Sequence, residues 1–456
     1  MRRTLCVRRA PHFFGKLDCV LVRLVKGWQD CDPISFLRRL LARNFVSPRS
    51  FEIWRRVSLT PRIPNRSRSQ RSLTLSSMRT PKSVEVEEAL ASRQDPQTKT
   101  KNKIVSAVAT IAGTATAVPP YVLSREIVKS RIGEVFSLDG ARLDAIREVI
   151  DNSAIDQRYS VFPPDYTIEP RPLTQINAEY QEKSVELGLQ VAERTLAQAG
   201  MVPTDVDLLI TVSCTGVMIP SLDAHLATIM GFRPDVRRLP ITELGCAAGA
   251  AGLARTWEYL TAFPDRTSLL IAVELPTLTF QRKDFSQANL ISAVLFGDGA
   301  AGVVVTGREA PGPRILASEC FLFPDSLAAM GFDLRDSGFH IVLSKDVPEL
   351  IRDRVKSLAE DFLARQGLRR DDISAFLLHP GGQKLLSFMQ EELGLDRSDT
   401  EISWDILRRY GNLSSASVLF ILNEWLVQKE MPSGSYGLLM AFGPGFTAEM
   451  LLLQWP

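Results

Sequence analysis

The sequence contains few cysteines and few histidines for its length, and their positions argue against two common kinds of protein. Its 456 residues include 6 cysteines and 4 histidines. The cysteines are irregularly spaced and form no CxxC pair with a matching second pair, so neither a disulfide framework nor a structural zinc site is expected. We therefore expect a protein of a reducing compartment and assign it to the cytoplasm.

Long apolar runs and a strong net charge are also missing. No apolar run reaches the roughly 18 to 20 residues that a transmembrane helix needs, so we expect a soluble protein without a membrane span. The 54 basic and 52 acidic residues nearly balance, which gives no general reason to expect a nucleic-acid partner. With 45% hydrophobic residues, the chain has an ordinary globular composition and can form two domains or one large duplicated domain.

The small excess of basic residues lies at the front of the chain, in residues 1–102. This extension is rich in Arg and Ser, poor in acids over most of its length, and without sustained periodicity, so we expect no fold of its own. Such a composition is typical of an organellar transit peptide, or of a basic arm that binds an anionic surface. A disordered extension, or a start codon assigned too early with Met78 as the true start, explains it more simply.

Residues 103–310 alternate apolar, β-branched runs with helical segments. The runs "VDLLITVSC", "TSLLIAVEL" and "AAGVVVTG" are strand-like, whereas "YQEKSVELGLQVAERTLAQAG" has apolar residues at helical spacing. Residues 311–456 repeat this order with "PRILASECFLF", the helix-like "ELIRDRVKSLAEDFLARQG" and "ISAFLLHP". Because this alternation is typical of a sheet covered on both faces, the sequence predicts an α/β protein made of two duplicated halves.

Cys246 stands in the stretch "ITELGCAAGAAGL", between a strand-like run and a helix rich in Gly and Ala. At a strand-to-helix turn the free N–H groups of the helix face the side chain, and the helix dipole favours thiolate over thiol. Small neighbours let a substrate carbonyl approach the sulfur. The same pattern also fits a buried cysteine that only fills space in the core.

His379 and Asn412 stand in turns of a similar kind. His379 ends the apolar run "ISAFLL", directly before Pro-Gly-Gly, and the C-terminal ends of strands in a doubly covered sheet face the ligand crevice. A single histidine is nevertheless more often structural than catalytic. Asn412, in "YGNLSSAS", follows a strand or turn that ends at Gly411 and could cap the next helix, which alone would explain it.

Five motifs in a fixed order carry a resemblance to a known family. The chain contains "GCAAGAAGL", "LFGDGAAGVVV", "LLHPGG", "YGNLSSAS" and "FGPGFTAE". Together they resemble the type III polyketide synthases, the chalcone synthase-like branch of the thiolase superfamily, from about residue 103 to the end. The resemblance implies a thiolase fold, an α/β architecture in which two duplicated αβαβα halves form a five-layered core. It also implies a homodimer.

The same resemblance assigns the candidate site residues. A Cys-His-Asn triad falls on Cys246 in the N-terminal half and on His379 and Asn412 in the C-terminal half. Phe296 and Phe339 match the family's two gatekeepers between the acyl-donor tunnel and the cavity. Cys214, Thr279 and Ser414 match residues that line the cavity. Ile219 matches a residue that would reach across the dimer into the partner's cavity.

The implied reaction is acyl transfer followed by decarboxylative Claisen condensation. Cys246 would accept a starter from an acyl-CoA or acyl carrier protein, with its pKa held down by His379. Malonyl-CoA would then lose carbon dioxide, and His379 and Asn412 would donate hydrogen bonds to the enolate oxygen. The resemblance implies CoA thioester substrates, and no metal or redox cofactor is required.

Two departures from the plant enzymes bear on the substrate. The segment that resembles the CoA-gripping helix of the plant enzymes has only Arg142, Arg147 and Arg158 as basic residues, so CoA must be held differently. The motifs "VSCTG" and "LGCAAGAAG" resemble the bacterial members. They favour a fatty-acyl starter giving alkylpyrones or alkylresorcinols, with 1,3,6,8-tetrahydroxynaphthalene from malonyl-CoA alone as the alternative, since a cysteine matching Cys214 occurs in enzymes of the latter kind.

Three other functions are compatible with parts of the pattern. A ketoacyl-acyl carrier protein synthase of the third type shares the triad but performs one condensation, and "GFHIVLSKDVP" and "FGPG" argue against it. A cysteine hydrolase would release acid without condensing, and it has no need of the His/Asn pair. A non-catalytic thiolase fold docked through the basic extension would behave normally after Cys246→Ala.

Overall fold

The computed structural model describes residues 109–168 and 171–456, so the predicted basic extension lies outside the described residues. The strands are β1 (Thr110–Ala117), β2 (Tyr121–Ser124), β3 (Gln157–Ser160), β4 (Leu208–Val212), β5 (Arg237–Ile241), β6 (Thr267–Glu274), β7 (Gly299–Thr306), β8 (Arg314–Leu322), β9 (Met330–Arg335), β10 (Gly338–Leu343), β11 (Ile373–Leu378), β12 (Tyr436–Gly443) and β13 (Thr447–Gln454). The helices are α1 (Arg125–Phe136), α2 (Gly140–Asp151), α3 (Leu173–Gln198), α4 (Leu222–Met230), α5 (Ala248–Ala262), α6 (Gln287–Leu295), α7 (Val347–Arg352), α8 (Val355–Arg365), α9 (Gln383–Glu392), α10 (Glu401–Tyr410) and α11 (Ser417–Gln428).

The main sheet shows the duplication that the sequence predicts. Its 9 strands lie in the order β11-β12-β13-β8-β1-β7-β6-β4-β5. In the first half, β1 is antiparallel to β7, β7 is antiparallel to β6, and β6 is parallel to β4. The second half repeats this arrangement with β8, β13, β12 and β11 in the same relative directions. The two halves meet where β1 pairs with β8 at Thr110 and Arg314.

Helices form three layers around the two halves of the sheet. The helices α5 and α11 lie between the halves, because each of them contacts strands of both. On the outer face of the first half, α3 packs against β1, β6 and β7. On the outer face of the second half, Phe362 of α8 lies in one core cluster with Phe376 and Leu438. The result is the five-layered αβαβα core that the resemblance implies.

The central strands are buried on both faces, as their continuous apolar runs predict. In β6, Leu269 and Ile271 belong to the outer core cluster under α3. Their neighbours Leu270 and Ala272 belong to the inner cluster around α5 and α11. Because side chains alternate along a strand, both faces of the sheet need apolar residues. The carboxyl group of Glu274, at the end of this strand, is therefore exceptional.

One local prediction is wrong. The single helix expected over residues 349–367 is interrupted between α7 and α8, where the charged residues 352–354 are exposed while Ile351 and Val355 on either side stay buried. Gly411, expected to end a strand or a turn, directly follows the helix α10. In the part of the chain that the structure describes, no helix is both long and apolar enough to cross a membrane.

Candidate active site

A cavity of about 670 Å³ opens beside the ends of the central helices. The residues that line it are mostly apolar, and Cys246 is among them. The six residues that the resemblance assigns to the substrate cavity also line it, namely Cys214, Ile219, Thr279, Phe296, Phe339 and Ser414. Since these residues come from distant parts of the chain, the fold brings the sequence motifs to one place. His379 and Asn412 lie outside this set of lining residues.

The nucleophile candidate Cys246 lies in a tight turn between β5 and α5. The turn, Gly245–Ala247, is a single 3-10 turn that leads directly into α5, as the strand-to-helix prediction requires. Cys246 is only 6% exposed, and its thiol donates a hydrogen bond to Ser414 Oγ at 3.5 Å. A Cβ at Gly249 would lie 2.2 Å from the carbonyl oxygen of Ser415, so only glycine permits this approach of α5 to the Ser414 turn.

Asn412 closes that second turn with its own side chain. Its Oδ1 accepts hydrogen bonds from the backbone N–H of Ser414 at 2.8 Å and from Ser417 Oγ at 3.3 Å. Its Nδ2 donates to the carbonyl oxygen of Gly381 at 3.3 Å, in the loop that follows His379. Oδ1 forms an Asx turn at the start of the 3-10 turn Ser414–Ala416, which leads directly into α11. Asn412 therefore satisfies an N–H at the beginning of this helical segment, as expected of a capping residue, although the residue directly before α11 is Ala416.

His379 lies at the C-terminal end of β11, as the sequence predicts. Its backbone N–H donates to the carbonyl oxygen of Met440 at 2.9 Å, which ties the residue to β12. The side chain is 4% exposed, and among the described residues its buried Nδ1 has no hydrogen-bond partner. Asn412 Nδ2 bonds to Gly381, two residues after His379, so the Asn412 amide and the backbone of His379 belong to one connected part of the site.

Burial decides the charge state of the thiol and the imidazole. Desolvation raises the pKa of Cys246 from 9.0 to about 11, although hydrogen bonds with Ser414 and Asn412 act in the opposite direction. Desolvation also lowers the pKa of His379 from 6.5 to about 4. Both groups are therefore neutral at neutral pH in the structure. The expected lowering of the thiol pKa by the helix N-terminus and His379 is not found: burial raises this pKa, and the side-chain hydrogen bonds that oppose the rise come from Ser414 and Asn412.

A buried carboxyl group that sequence reasoning missed lies next to the candidate residues. Glu274 Oε2 accepts hydrogen bonds from the backbone N–H of Cys214 and from Thr215 Oγ1, both at 3.1 Å, and Oε1 accepts from Ser415 Oγ at 2.5 Å. Burial raises the pKa of Glu274 to about 7. Cys214 Sγ lies 3.7 Å from Ser414 Oγ, which links this carboxyl group to Cys246. In the sequence, the sign that could have pointed to Glu274 is a single acidic residue at the end of a strand-like, apolar run.

The two candidate gatekeepers are held by different elements. Phe296 directly follows α6 and forms an isolated β-bridge with Asn412. Phe339 belongs to β10, and its carbonyl oxygen accepts a hydrogen bond from Gln281 Nε2 at 3.2 Å. The same nitrogen donates to the carbonyl oxygen of Thr279 at 2.9 Å. Gln281, a second residue that sequence reasoning missed, thus fixes Phe339 relative to the cavity wall at Thr279.

Ile219 and the basic residues of the presumed CoA segment have different environments. Ile219 lines the cavity and yet is 91% exposed. Arg142 and Arg147 lie on α2 near the surface. Arg158 lies on β3, is 4% exposed, and donates hydrogen bonds to backbone carbonyl groups, so it is not a surface group for CoA phosphates.

Comparison with known proteins matches nearly all of the described chain. Residues 97–309 match the N-terminal domain of chalcone and stilbene synthases, and residues 315–455 match the C-terminal domain. The chain is 37% identical over 360 residues to a 1,3,6,8-tetrahydroxynaphthalene synthase of Streptomyces peucetius subsp. caesius, covering 78% of this chain and 95% of that protein. It is 33% identical over 361 residues to a putative chalcone synthase of Bacillus subtilis (strain 168), covering 76% and 99%.

The solved structures that it resembles have the same architecture. The crystal structure of 1,3,6,8-tetrahydroxynaphthalene synthase from Streptomyces coelicolor A3(2), a bacterial type III polyketide synthase, matches with a TM-score of 0.74 and 33% identity, covering 76% of this chain and 99% of that one. These matches confirm the predicted thiolase fold and the predicted class of enzyme. The chain belongs to the family of chalcone and stilbene synthases, and it is a type III polyketide synthase, an acyltransferase.

Proposed function

We propose that the protein loads an acyl starter onto Cys246, extends it by repeated decarboxylative condensation with malonyl-CoA, and cyclises the product. The observation that carries the proposal is the position of Cys246. This cysteine begins a buried helix, lines a cavity of about 670 Å³, and lies next to the turn that Asn412 closes. A cysteine that only fills space in the core would have no reason to face a cavity of this size.

Loading begins with a proton transfer from the Cys246 thiol to His379. Because both groups are neutral and buried, the transfer creates a thiolate and an imidazolium without changing the net charge of the site. The thiolate attacks the carbonyl carbon of the starter thioester, the new C–S bond forms, and the bond to the CoA sulfur breaks. The imidazolium returns its proton to the departing CoA thiolate.

Extension uses the donors near the thioester. Malonyl-CoA loses its carboxylate as carbon dioxide, and the electron pair becomes an enolate whose oxygen accepts hydrogen bonds from His379 and from Asn412 Nδ2. The bond from Nδ2 to the carbonyl oxygen of Gly381 is long, at 3.3 Å, so the amide can turn toward the enolate. The enolate carbon then attacks the Cys246 thioester, forming a C–C bond while the bond to Cys246 Sγ breaks. The lengthened chain reloads onto Cys246 for the next cycle.

The lining of the cavity favours an acyl starter and alkylpyrone or alkylresorcinol products. The wall formed by α1 is mostly apolar: it includes Ile127, Val128, Ile132 and Val135, and its one cation, Arg131, is paired with Glu134 and Asp165. Such a wall buries a hydrocarbon chain favourably but desolvates a carboxylate at a cost. A second candidate, 1,3,6,8-tetrahydroxynaphthalene formed from malonyl-CoA alone, is supported by Cys214 in the lining and by the similarity to enzymes of that name.

Product analysis separates these two candidates. We expect mass spectrometry to show pyrones or resorcinols when purified protein receives malonyl-CoA with long acyl-CoA or acyl carrier protein starters, and little product from malonyl-CoA alone. Ile132→Trp should then reduce turnover of long starters more than that of short ones, because it fills the apolar wall. Val149→Trp, at an exposed site of α2 outside the cavity lining, is the matched control. A naphthalene pentaketide from malonyl-CoA alone would favour the second candidate.

We further propose that two copies of the chain form a homodimer around the loop that carries Ile219. The cavity wall near this loop also includes Thr242 and Glu243, both exposed. An isoleucine that is 91% exposed at a cavity rim gains most if a second copy covers it. The strand β5, with its largely exposed side chains, ends the sheet next to this wall.

The expected effect of breaking this contact is loss of the dimer. Ile219→Glu places a charge in the proposed interface, and light scattering after size-exclusion chromatography should show a shift from twice the chain mass toward the chain mass at micromolar concentration. Val427→Glu changes an apolar residue of α11 that is 73% exposed and not among the cavity-lining residues, and it should leave the mass unchanged. A wild-type protein that elutes as a monomer would contradict the proposal.

A further inference from the structure

Arg158 is a positive charge buried in the cavity wall, and the proposed chemistry does not use it. The residue belongs to β3 and is 4% exposed. Within the described part of the chain it forms no direct ion pair. Burial lowers the pKa of its guanidinium to about 10, although the charge of the buried Asp298 acts in the opposite direction. A buried cation without a directly bonded carboxylate costs stability unless its hydrogen bonds satisfy other buried groups. Arg158 forms hydrogen bonds of this kind with two backbone carbonyl groups.

These carbonyl groups lie at the C-terminal end of α6. In a regular helix the carbonyl oxygen of Ala293 would accept a hydrogen bond from the N–H of Gly297, four residues later. Here the N–H of Gly297 donates to the carbonyl oxygen of Asn412 at 3.1 Å. Arg158 Nη1 instead donates to the carbonyl oxygens of Ala293 at 2.6 Å and Phe296 at 2.7 Å. The N–H of Gly297 bonds to Asn412 and not to Ala293, so Arg158 supplies the donor for the carbonyl oxygen of Ala293.

The Asn412 segment is held to the same helix end from its other side. Its backbone N–H donates to the carbonyl oxygen of Leu295 at 2.9 Å, which completes the bridge between Phe296 and Asn412. A Cβ at Gly411 would lie 2.6 Å from the carbonyl oxygen of Leu295 and 2.9 Å from Arg158 Cγ. The stem of Arg158 thus packs directly against the backbone that precedes Asn412.

We propose that Arg158 is a positioning residue for decarboxylation and condensation, because it fixes the end of α6 and so sets where Phe296 and Asn412 lie. This inference rests on the role in the reaction proposed above for Asn412. The planar guanidinium satisfies two carbonyl groups from one nitrogen. A lysine ammonium is a strongly hydrated point charge that is harder to bury.

The test compares Arg158→Met with a matched arginine variant. Methionine keeps the apolar stem but leaves the carbonyl oxygens of Ala293 and Phe296 without the donor. We expect kcat for malonyl-CoA decarboxylation to fall about 10- to 100-fold with KM changed less than about threefold, since the donor to the enolate is misplaced while binding remains. Arg282→Met is comparable because Arg282 Nε donates a hydrogen bond to a helix carbonyl oxygen, that of Val135, at 3.1 Å. This hydrogen bond involves neither Phe296 nor Asn412. The Arg282→Met variant should change kcat less than about threefold.

The outcomes distinguish this inference from the proposed function. If Arg158→Met folds and decarboxylates at the wild-type rate, or if Arg282→Met loses as much, Arg158 is not a positioning residue. If Arg158→Met is insoluble, Arg158→Lys decides: a folded Lys variant with reduced kcat supports the inference, and one with wild-type kcat overturns it. Insolubility of both variants would show that Arg158 serves folding and would also overturn it. Asn412→Ala in the same assay reports on Asn412 itself, so normal decarboxylation there would contradict the proposed function instead.

Discussion

Replacing Cys246 with alanine is expected to abolish polyketide formation and to leave part of the malonyl-CoA decarboxylation intact. Alanine removes the sulfur that would carry the acyl chain but leaves His379 and Asn412, the proposed donors to the enolate. Intact-protein mass spectrometry should detect an acyl adduct on the wild-type enzyme and none on the variant. Acetyl-CoA released from malonyl-CoA, measured by chromatography, should remain detectable.

The second thiol of the cavity provides the matched control. Cys214 is also a free cysteine in the cavity lining, and its sulfur lies within 3.7 Å of the same Ser414 Oγ. Burial raises the pKa of both thiols, but the Cys214 thiol also donates a hydrogen bond to Glu274 Oε2 at 3.6 Å, so we expect Cys214 to be the poorer nucleophile. Cys214→Ala should therefore keep the acyl adduct. An adduct that persists in Cys246→Ala and disappears in Cys214→Ala would assign the nucleophile to Cys214.

The sequence predicts the location of Cys246 better than its chemistry. The turn before a small-residue helix is a local pattern, and the structure shows it. The charge state depends on burial, which local sequence does not reveal. A helix N-terminus stabilises an anion by about 0.3 to 1 kcal/mol at an exposed site. The rise in the pKa of Cys246 from 9.0 to about 11 corresponds to about 3 kcal/mol in the opposite direction.

Glu274, which sequence reasoning missed, and Arg158, whose role it did not foresee, act through contacts between distant parts of the chain. Glu274 reaches Ser415, 141 residues later, and Arg158 reaches Phe296, 138 residues later. In the sequence Glu274 ends an apolar strand, and Arg158 stands among the residues of the presumed CoA segment. Only the pairing of the strands and the end of α6 shows which backbone groups lack partners. Alternation of apolar runs predicts the two halves of the fold, but it carries no information about these polar contacts.

Replacing Asn412 with alanine is expected to lower the rate of malonyl-CoA decarboxylation by about 100- to 1,000-fold, the cost of one oxyanion donor in comparable sites. Asn412 uses its two side-chain atoms differently: Oδ1 closes the turn before Ser414, and Nδ2 faces the loop after His379. Alanine removes both. Asn412→Asp keeps an oxygen that can close the turn but, when ionised, has no donor, so it should lose decarboxylation to a similar extent.

Ser417→Ala separates the turn from the amide. Ser417 Oγ donates to Asn412 Oδ1 at 3.3 Å and accepts from the N–H of Leu413 at 2.8 Å, so it supports the turn without offering a donor to the enolate. Its removal should cost about 1 kcal/mol of stability and reduce decarboxylation less than about tenfold. If Ser417→Ala is as slow as Asn412→Ala while Asn412→Asp is active, the shape of the turn controls the reaction. If both Asn412 variants are slow and Ser417→Ala is not, Nδ2 is the donor that the enolate requires.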